Sequence, residues 1–496
     1  MRDKELRGFE FILIANQTLS IFKLSDPKVI NDIPWLKFLD DNYFLSVWAF
    51  FVCFKGYYRI YGIRINIISV ILAEICILLQ EYNIISYSFR YQNMMAGLTF
   101  VLFSMVVYYA FPVLRQVSIT GIFKNIGFVS NEILGTQVSV FYPSDEKYSK
   151  NTDVIYMPYP SYFDTFHFIF QRQLGIRIAP PKWLIKISGQ PMVMRLMGVI
   201  NNANLKILNS KMPIVVYSHG LSSNRNYQAG FCKDLASKGC IVISLQHKDE
   251  EYLEKLSVSP KEVDFVNSMH QAVIRRKKQA KQILDFAFDK NKLATLFKNS
   301  EQILKSGSLQ LNGKAIICGH SYGTQTAVLC GLDDDRIFAT VSLDPVMNIF
   351  DLPAFKPLIK KQVNKPFLVL CSDNFNKYYP WYKQKEDLSK WLSNNTNSKK
   401  QLLALRMKNT EHVDMIDAAL FYPRELQIVR KDIYSPNTVS MNLIMINKLA
   451  EFFIFESLQN SPQTIDCQRV LNKFDDMCKN AIKEANPLEV IKNLFY

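Results

Sequence analysis

An α/β fold with a mainly parallel central sheet is predicted for the larger part of this chain, on three observations. Beyond about residue 125, short β-branched runs alternate with helix-forming stretches, as strand-helix-strand units require. Several of these runs are continuously apolar, the pattern of strands covered on both faces. Between two of the segments stands Gly319-His320-Ser321-Tyr322-Gly323. It follows the strand-like Ala315-Ile316-Ile317-Cys318 and precedes a helix-like stretch, 324–332. Two glycines in that context let the backbone turn sharply enough to present a serine hydroxyl at the apex.

The elements can be justified in order. Residues 1–7 are charged and are not followed by a short apolar core and a small-residue cleavage site, so no cleaved leader is expected there. Residues 94–114 run without a charge for long enough to cross a hydrocarbon layer of about 30 Å. Two further candidates are 65–79, whose Glu74 would need a partner, and the shorter, uncharged 43–54. Lys55, Arg59 and Arg64 lie between 43–54 and 65–79, the first two candidates in chain order, with no acid among them. Positive loops stay on the cytoplasmic side, which predicts a multi-pass anchor with the bulk of the chain in the cytosol. Strands are expected at 137–142, 214–217, 241–245, 315–318, 338–343, 367–371 and 402–406, and helices at 227–238, 269–290, 324–332, 382–391 and 439–455. Three regions result: 1–124 as a membrane-anchoring region with two or three spans, 125–458 as the catalytic domain, and 459–496 as a helical tail.

Composition narrows the partners. There are 59 Lys and Arg against 44 Asp and Glu, a formal +15, together with 49% hydrophobic and 13% aromatic residues. Positive charge alone suits nucleic acid or anionic lipid, and the apolar content favours the membrane. The nine cysteines are odd in number and scattered, which indicates neither a disulfide framework nor a zinc site. The run Arg275-Arg276-Lys277-Lys278 with Lys281 is expected to be the solvated face of a helix and is assigned no site. Residues 307–314 resemble a phosphate loop, with one spacer too many and a strand-like run where a helix should start, so no nucleotide is expected. No metal or cofactor site is expected either.

A serine hydroxyl becomes a nucleophile when a base takes its proton, and the base needs an acid to fix its tautomer. Of six histidines, five (His167, His219, His247, His270 and His320) precede Ser321. In α/β-hydrolases the order is Ser, acid, His, which leaves His412, in a loop just beyond the last strand-like run. Two aspartates end strand-like runs after the serine, Asp344 and Asp373, and the residues alone leave them level. Backbone N–H groups should hold the oxyanion, one from the residue after the nucleophile, Tyr322, and one from the turn after an earlier strand, Leu221 in Ser218-His219-Gly220-Leu221.

Beyond these roles, several motifs resemble those of the platelet-activating-factor acetylhydrolase family, the group VII phospholipases A2. They are Gly135-Thr136-Gln137, Phe141-Tyr142-Pro143-Ser144, Tyr217-Ser218-His219-Gly220-Leu221, Leu235-Ala236-Ser237-Lys238-Gly239, Gln246-His247-Lys248-Asp249, Gly319 to Gly323, and Leu343-Asp344-Pro345. The similarity runs from near residue 125 to about 458. It implies an α/β-hydrolase fold, with Ser321, His412 and, as the acid, Asp344 as catalytic residues, and the backbones of Leu221 and Tyr322 as oxyanion donors. It also implies calcium-independent hydrolysis of the sn-2 ester of phospholipids with short or oxidised acyl chains. The other expectations that the residues allow are a general carboxylesterase, lipase or acyltransferase on the same scaffold, and an inactive membrane scaffold.

Overall fold

A computed structural model describes residues 119–154, 156, 197–221, 223–247, 262–346, 363–372, 392, 394–395, 402–407, 410–420, 436–459 and 467–484. The three apolar stretches expected to span a membrane lie outside these residues, as does the helix expected at 382–391. Among the described residues no helix is long and apolar enough to cross a membrane. Contacts divide the chain into two units, and the sheet with its helices belongs to the one made of Gln116–Pro180, Leu196–Leu420 and Asn437–Tyr496.

That unit is built on nine strands: β1 (Ile126–Ile133), β2 (Thr136–Pro143), β3 (Ile200–Asn201), β4 (Met212–Ser218), β5 (Ile241–Leu245), β6 (Leu311–His320), β7 (Ile337–Leu343), β8 (Phe367–Ser372) and β9 (Leu402–Met407). Helices α1 (Ala229–Ala236), α2 (Glu262–Phe288), α3 (Lys290–Ala294), α4 (Ser300–Ser306) and α5 (Gly323–Asp333) fall between strands, and α6 (Pro436–Gln459) and α7 (Cys467–Glu484) follow them. The order across the sheet is β3-β1-β2-β5-β4-β6-β7-β8-β9. β5, β4, β6, β7, β8 and β9 pair in parallel, while β2 runs antiparallel to both β1 and β5. This is an α/β-hydrolase-like fold with a mostly parallel sheet.

All seven expected strands form. β6 is longer than its apolar centre because Leu311 to Lys314 extends it before the buried run begins. β1 and β3 were not expected. In β1 the middle of the strand, Ser130 to Glu132, is polar and faces outward where the β1–β2 hairpin projects, so neither alternation nor an apolar run marks it. Two residues of β3 are too few to carry a pattern. The helix expected at 269–290 starts earlier, at Glu262.

The core explains why the central strands read as continuously apolar. Ile214, Val216, Ile241, Ile243, Ala315 and Ile317 point to one face, where they meet Ala280, Ile283, Leu284 and Ala287 of α2. Thr340 pairs with both Ile317 and Phe367, so Phe367 and Val369 continue the same face, where they meet Val328 and Leu329 of α5 and Met269 and Val273 of α2, while Val215, Val242 and Ile316 are buried on the opposite face. Fully burying a side chain of this size stabilises the fold by about 1.5–3 kcal/mol.

The connections set the position of the functional residues. From β4 the chain passes to β5 on one side, and from β6 it passes to β7 on the other. Between β4 and β6 the order therefore reverses, and loops leaving their carboxyl ends diverge and open a crevice. The turns 219–221 and 321–322 leave the sheet at that point.

Candidate active site

Ser321 sits at the end of β6 with φ of +54°, a left-handed conformation that costs a non-glycine residue about 1–2 kcal/mol. Main-chain bonds hold it there. Its N–H donates to the Leu343 carbonyl at 2.9 Å and its own carbonyl accepts from Thr324 N–H at 3.1 Å and Val346 N–H at 3.3 Å. The Thr324 hydroxyl donates to the same carbonyl at 2.5 Å. The two glycines of the turn are required by close approach. A Cβ on Gly319 would lie 2.4 Å from the Gly323 carbonyl oxygen, and one on Gly323 would lie 2.1 Å from that of Ser218. Neither neighbour is a side chain that could move aside.

The structure brings Ser321, His412 and Asp344 together. His412 Nε2 is 2.8 Å from Ser321 Oγ, and His412 Nδ1 is 2.5 Å from Asp344 Oδ2. An ionised carboxylate only accepts, so Nδ1 carries the proton and Nε2 offers its lone pair to the serine. Asp344 is fully buried and Ser321 is 8% exposed, an arrangement in which the acid is shielded and the hydroxyl remains at the surface of the crevice. Burial pushes the thiol of Cys318, three residues before the serine, well above its ordinary pKa, so it stays protonated. Asp373 and His167 lie outside the described residues.

Asp344 follows β7 and also has a positive φ, +48°. Ser372, at the end of β8, donates its N–H to Oδ1 at 3.0 Å and its hydroxyl to Oδ2 at 2.7 Å. Two donors from one residue leave the carboxylate a single orientation toward His412. Ser372 was not found by sequence reasoning and carries no signal of its own: its position arises from the pairing of Leu343 with Leu370.

His412 opens a short 3-10 helix, His412–Met415, whose cap is reciprocal between Glu411 and Asp414. Asn442 of α6 reaches Asp414 at 3.3 Å. Gln228, just before α1, donates to the Met415 carbonyl, and Gly230 N–H donates to Asp417. The histidine loop is thereby fastened to the start of α1 and to α6. His320 stacks beside His412, ring centroids 4.7 Å apart, and its Nε2–H donates to the His412 carbonyl at 3.2 Å.

The turn after β4 abuts the serine: a Cβ on Gly220 would lie 3.2 Å from Ser321 Cβ. Tyr322 stands at the start of α5, where a helix presents its first N–H groups and the positive end of its dipole. Leu221 and Tyr322 thus flank Ser321 from two different loops.

Behind the turn lies a pair of buried histidines. His219 Nε2 accepts from His247 N–H at 3.0 Å, and its Nδ1 donates to the Gly220 carbonyl at 2.6 Å. His247 Nε2 meets Ser218 Oγ at 2.9 Å and its Nδ1 meets Gln279 at 2.8 Å. Burial, reinforced by the Arg276 charge, holds both imidazoles well below the ordinary histidine pKa. In the unfolded chain they take up protons near pH 6.5. As pH falls below that value the unfolded state gains protons that the native state refuses, so stability drops, by up to about 1.4 kcal/mol per pH unit for each histidine. The contribution is complete above pH 7. Thermal melts should show Tm falling between about pH 6.5 and 5, before most carboxylates titrate, and His247→Gln should flatten the slope. A Tm that is level or rising toward pH 5.5 contradicts the assignment.

Comparison with known proteins follows the same lines. Residues 127–285 match the family model described as platelet-activating factor acetylhydrolase, isoform II, a segment that ends before Ser321. The chain is 26% identical over 272 residues to the platelet-activating factor acetylhydrolase of Canis lupus familiaris, covering 49% of this chain and 55% of that protein. It is 26% identical over 243 residues to that of Bos taurus, covering 43% and 50%. The chain thus spans little more than half the length of these relatives. Among solved structures, a ferulic acid esterase from Streptomyces cinnamoneus is 17% identical, with a TM-score of 0.44, covering 69% of this chain and 91% of that one. The family resemblance read from the motifs is borne out, at low identity.

Proposed function

We propose that this chain is a serine hydrolase of phospholipids that cleaves the sn-2 ester of molecules with short or oxidised acyl chains. The observation that carries the proposal is the continuous line from Ser321 Oγ through His412 to Asp344, at 2.8 and 2.5 Å. The match to the acetylhydrolase family model supports the choice of substrate. In the reaction the Ser321 proton passes to His412 Nε2 as Oγ bonds to the ester carbonyl carbon. The carbonyl oxygen becomes an oxyanion, held by the N–H groups of Leu221 and Tyr322. Collapse breaks the ester bond, and His412 returns its proton to the departing lysophospholipid. Water, deprotonated by His412, then attacks the acyl-serine; the bond from the acyl carbon to Oγ breaks, His412 returns the proton to Ser321 Oγ, and the carboxylic acid leaves. Asp344 remains ionised throughout and stabilises the imidazolium. All charge development is met by these groups, so the proposed cycle runs without calcium.

The substrate is a membrane component, and we place the enzyme at a membrane through residues 1–124, with the catalytic domain in the cytosol. That placement rests on the three apolar stretches and the positive loop between the first two.

The test is a comparison of phosphatidylcholines bearing acetyl or palmitoyl at sn-2 with a soluble ester such as 4-nitrophenyl acetate, in EGTA. The expected outcome is a kcat/KM for the acetyl phospholipid at least about tenfold above that for the palmitoyl one, unchanged by the chelator. Turnover of the soluble ester with neither phospholipid cleaved would replace this reading with a general carboxylesterase.

A further inference from the structure

Arg276 belongs to the basic run on α2 that the sequence suggested was a solvated face. It is instead 1% exposed and is among the largest fully buried side chains. A guanidinium has five donors and no acceptor and cannot be discharged. Burying one costs several kcal/mol unless those donors are met. Main-chain carbonyls of the turn after β4 meet two of them: Nη1 donates to His219 O at 2.6 Å and Nη2 to Gly220 O at 3.3 Å. The same guanidinium lies 4.7 Å over the ring of Tyr322. The Tyr322 hydroxyl donates to the carbonyl of Met269, seven residues before Arg276 and so two turns along the same face of α2. One helix face therefore grips both loops that flank Ser321.

Gly220 C=O and Leu221 N–H belong to one planar trans peptide, in which the two groups point in opposite directions. Fixing the carbonyl fixes the N–H. His219 Nδ1 and Arg276 Nη2 both donate to that carbonyl, which locks the plane, aims the Leu221 N–H away from Arg276, and polarises it as a donor.

We propose that Arg276 is a positioning residue for the oxyanion site, clamping the 219–221 turn from behind and seating Tyr322. This rests on the reading of Leu221 and Tyr322 as oxyanion donors. Such a residue acts on the transition state and leaves ground-state binding nearly untouched.

The experiment measures kcat per active site, counted by fluorophosphonate titration, for wild type, Arg276→Met and Arg276→Lys, with Ser321→Ala assayed beside them at equal protein concentration. Loss of a whole oxyanion donor costs about 10²–10³ in kcat, and a misaimed one should cost roughly 10- to 100-fold. Arg276→Met is expected to fall in that range with KM within about threefold of wild type. Its affinity for a trifluoromethyl ketone, which forms a tetrahedral adduct, should weaken in step with kcat. Arg276→Lys, with the charge but no planar fork, should recover part of the loss. Wild-type kcat per titrated site in Arg276→Met, or a loss confined to KM, overturns the proposal. Failure of both variants to fold also overturns it, by assigning Arg276 to the scaffold alone. Activity surviving in Ser321→Ala would instead defeat the underlying hydrolase mechanism, so the two failures are distinct.

Discussion

Ser321→Ala is expected to reduce kcat by about 10⁴–10⁶-fold and to abolish labelling by a fluorophosphonate, while the protein remains folded. The chemical part follows from the distances: with Oγ gone, His412 Nε2 has no hydroxyl at 2.8 Å to deprotonate. The structural part follows from the backbone. Alanine has the same Cβ as serine, so the strain at φ of +54° and the main-chain bonds to Leu343, Thr324 and Val346 are unchanged. The substitution removes a partly exposed hydrogen bond to His412, which contributes about 1 kcal/mol. Ser321→Gly sharpens the comparison. It should be equally inactive, yet glycine adopts a positive φ without the Cβ penalty, so its Tm should exceed that of the alanine variant. A catalytic residue held in a conformation that glycine would relieve is strain retained for function. Activity assays with thermal melts on both variants check the two halves separately. Turnover in Ser321→Ala close to wild type would remove the nucleophile assignment.

Much of this site was legible before the fold was known, for reasons that differ by residue. Ser321 was legible because the periodicity switches from strand to helix across two glycines, and steric contact explains both of them. His412 was legible by elimination, being the one histidine after the serine. Its support was not: Gln228, Asp414, Asp417 and Asn442 come from separate places in the chain, and their convergence depends on how α1 and α6 meet the loop. Ser372 was equally hidden, since a serine at a strand end acquires meaning only through the register of β7 and β8. Arg276 was misread although a signal existed. Its neighbours in sequence are charged, but its neighbours on the helix face are Ala272, Val273 and Ala280, all buried. At about 100° per residue, spacings of three and four decide the face, and adjacency in sequence does not.

Asp344→Asn should be the next most damaging change, lowering kcat by roughly 10⁴-fold, whereas Asp373→Asn should leave it within about threefold of wild type. The residues alone left the two level, the family resemblance favoured Asp344, and the structure brings Asp344 to His412 with Ser372 behind it. Among the described residues, Ser372 N–H, Ser372 Oγ–H and His412 Nδ1–H donate to the Asp344 carboxylate. An asparagine offers one carbonyl oxygen and an amide that only donates. The Ser372 N–H is fixed in the backbone and cannot accept, so the amide oxygen must stay with it and the NH₂ group turns to His412. That forces the proton of His412 onto Nε2, where it donates to Ser321 Oγ and can no longer remove its proton. The wrong tautomer, with the fold intact, is the cause of the loss. Backbone strain does not complicate the test, because asparagine tolerates the left-handed φ of +48° as well as aspartate does. Unaltered Tm with kcat reduced and KM nearly constant is the expected signature. A larger kcat loss in Asp373→Asn than in Asp344→Asn would transfer the orienting role to Asp373.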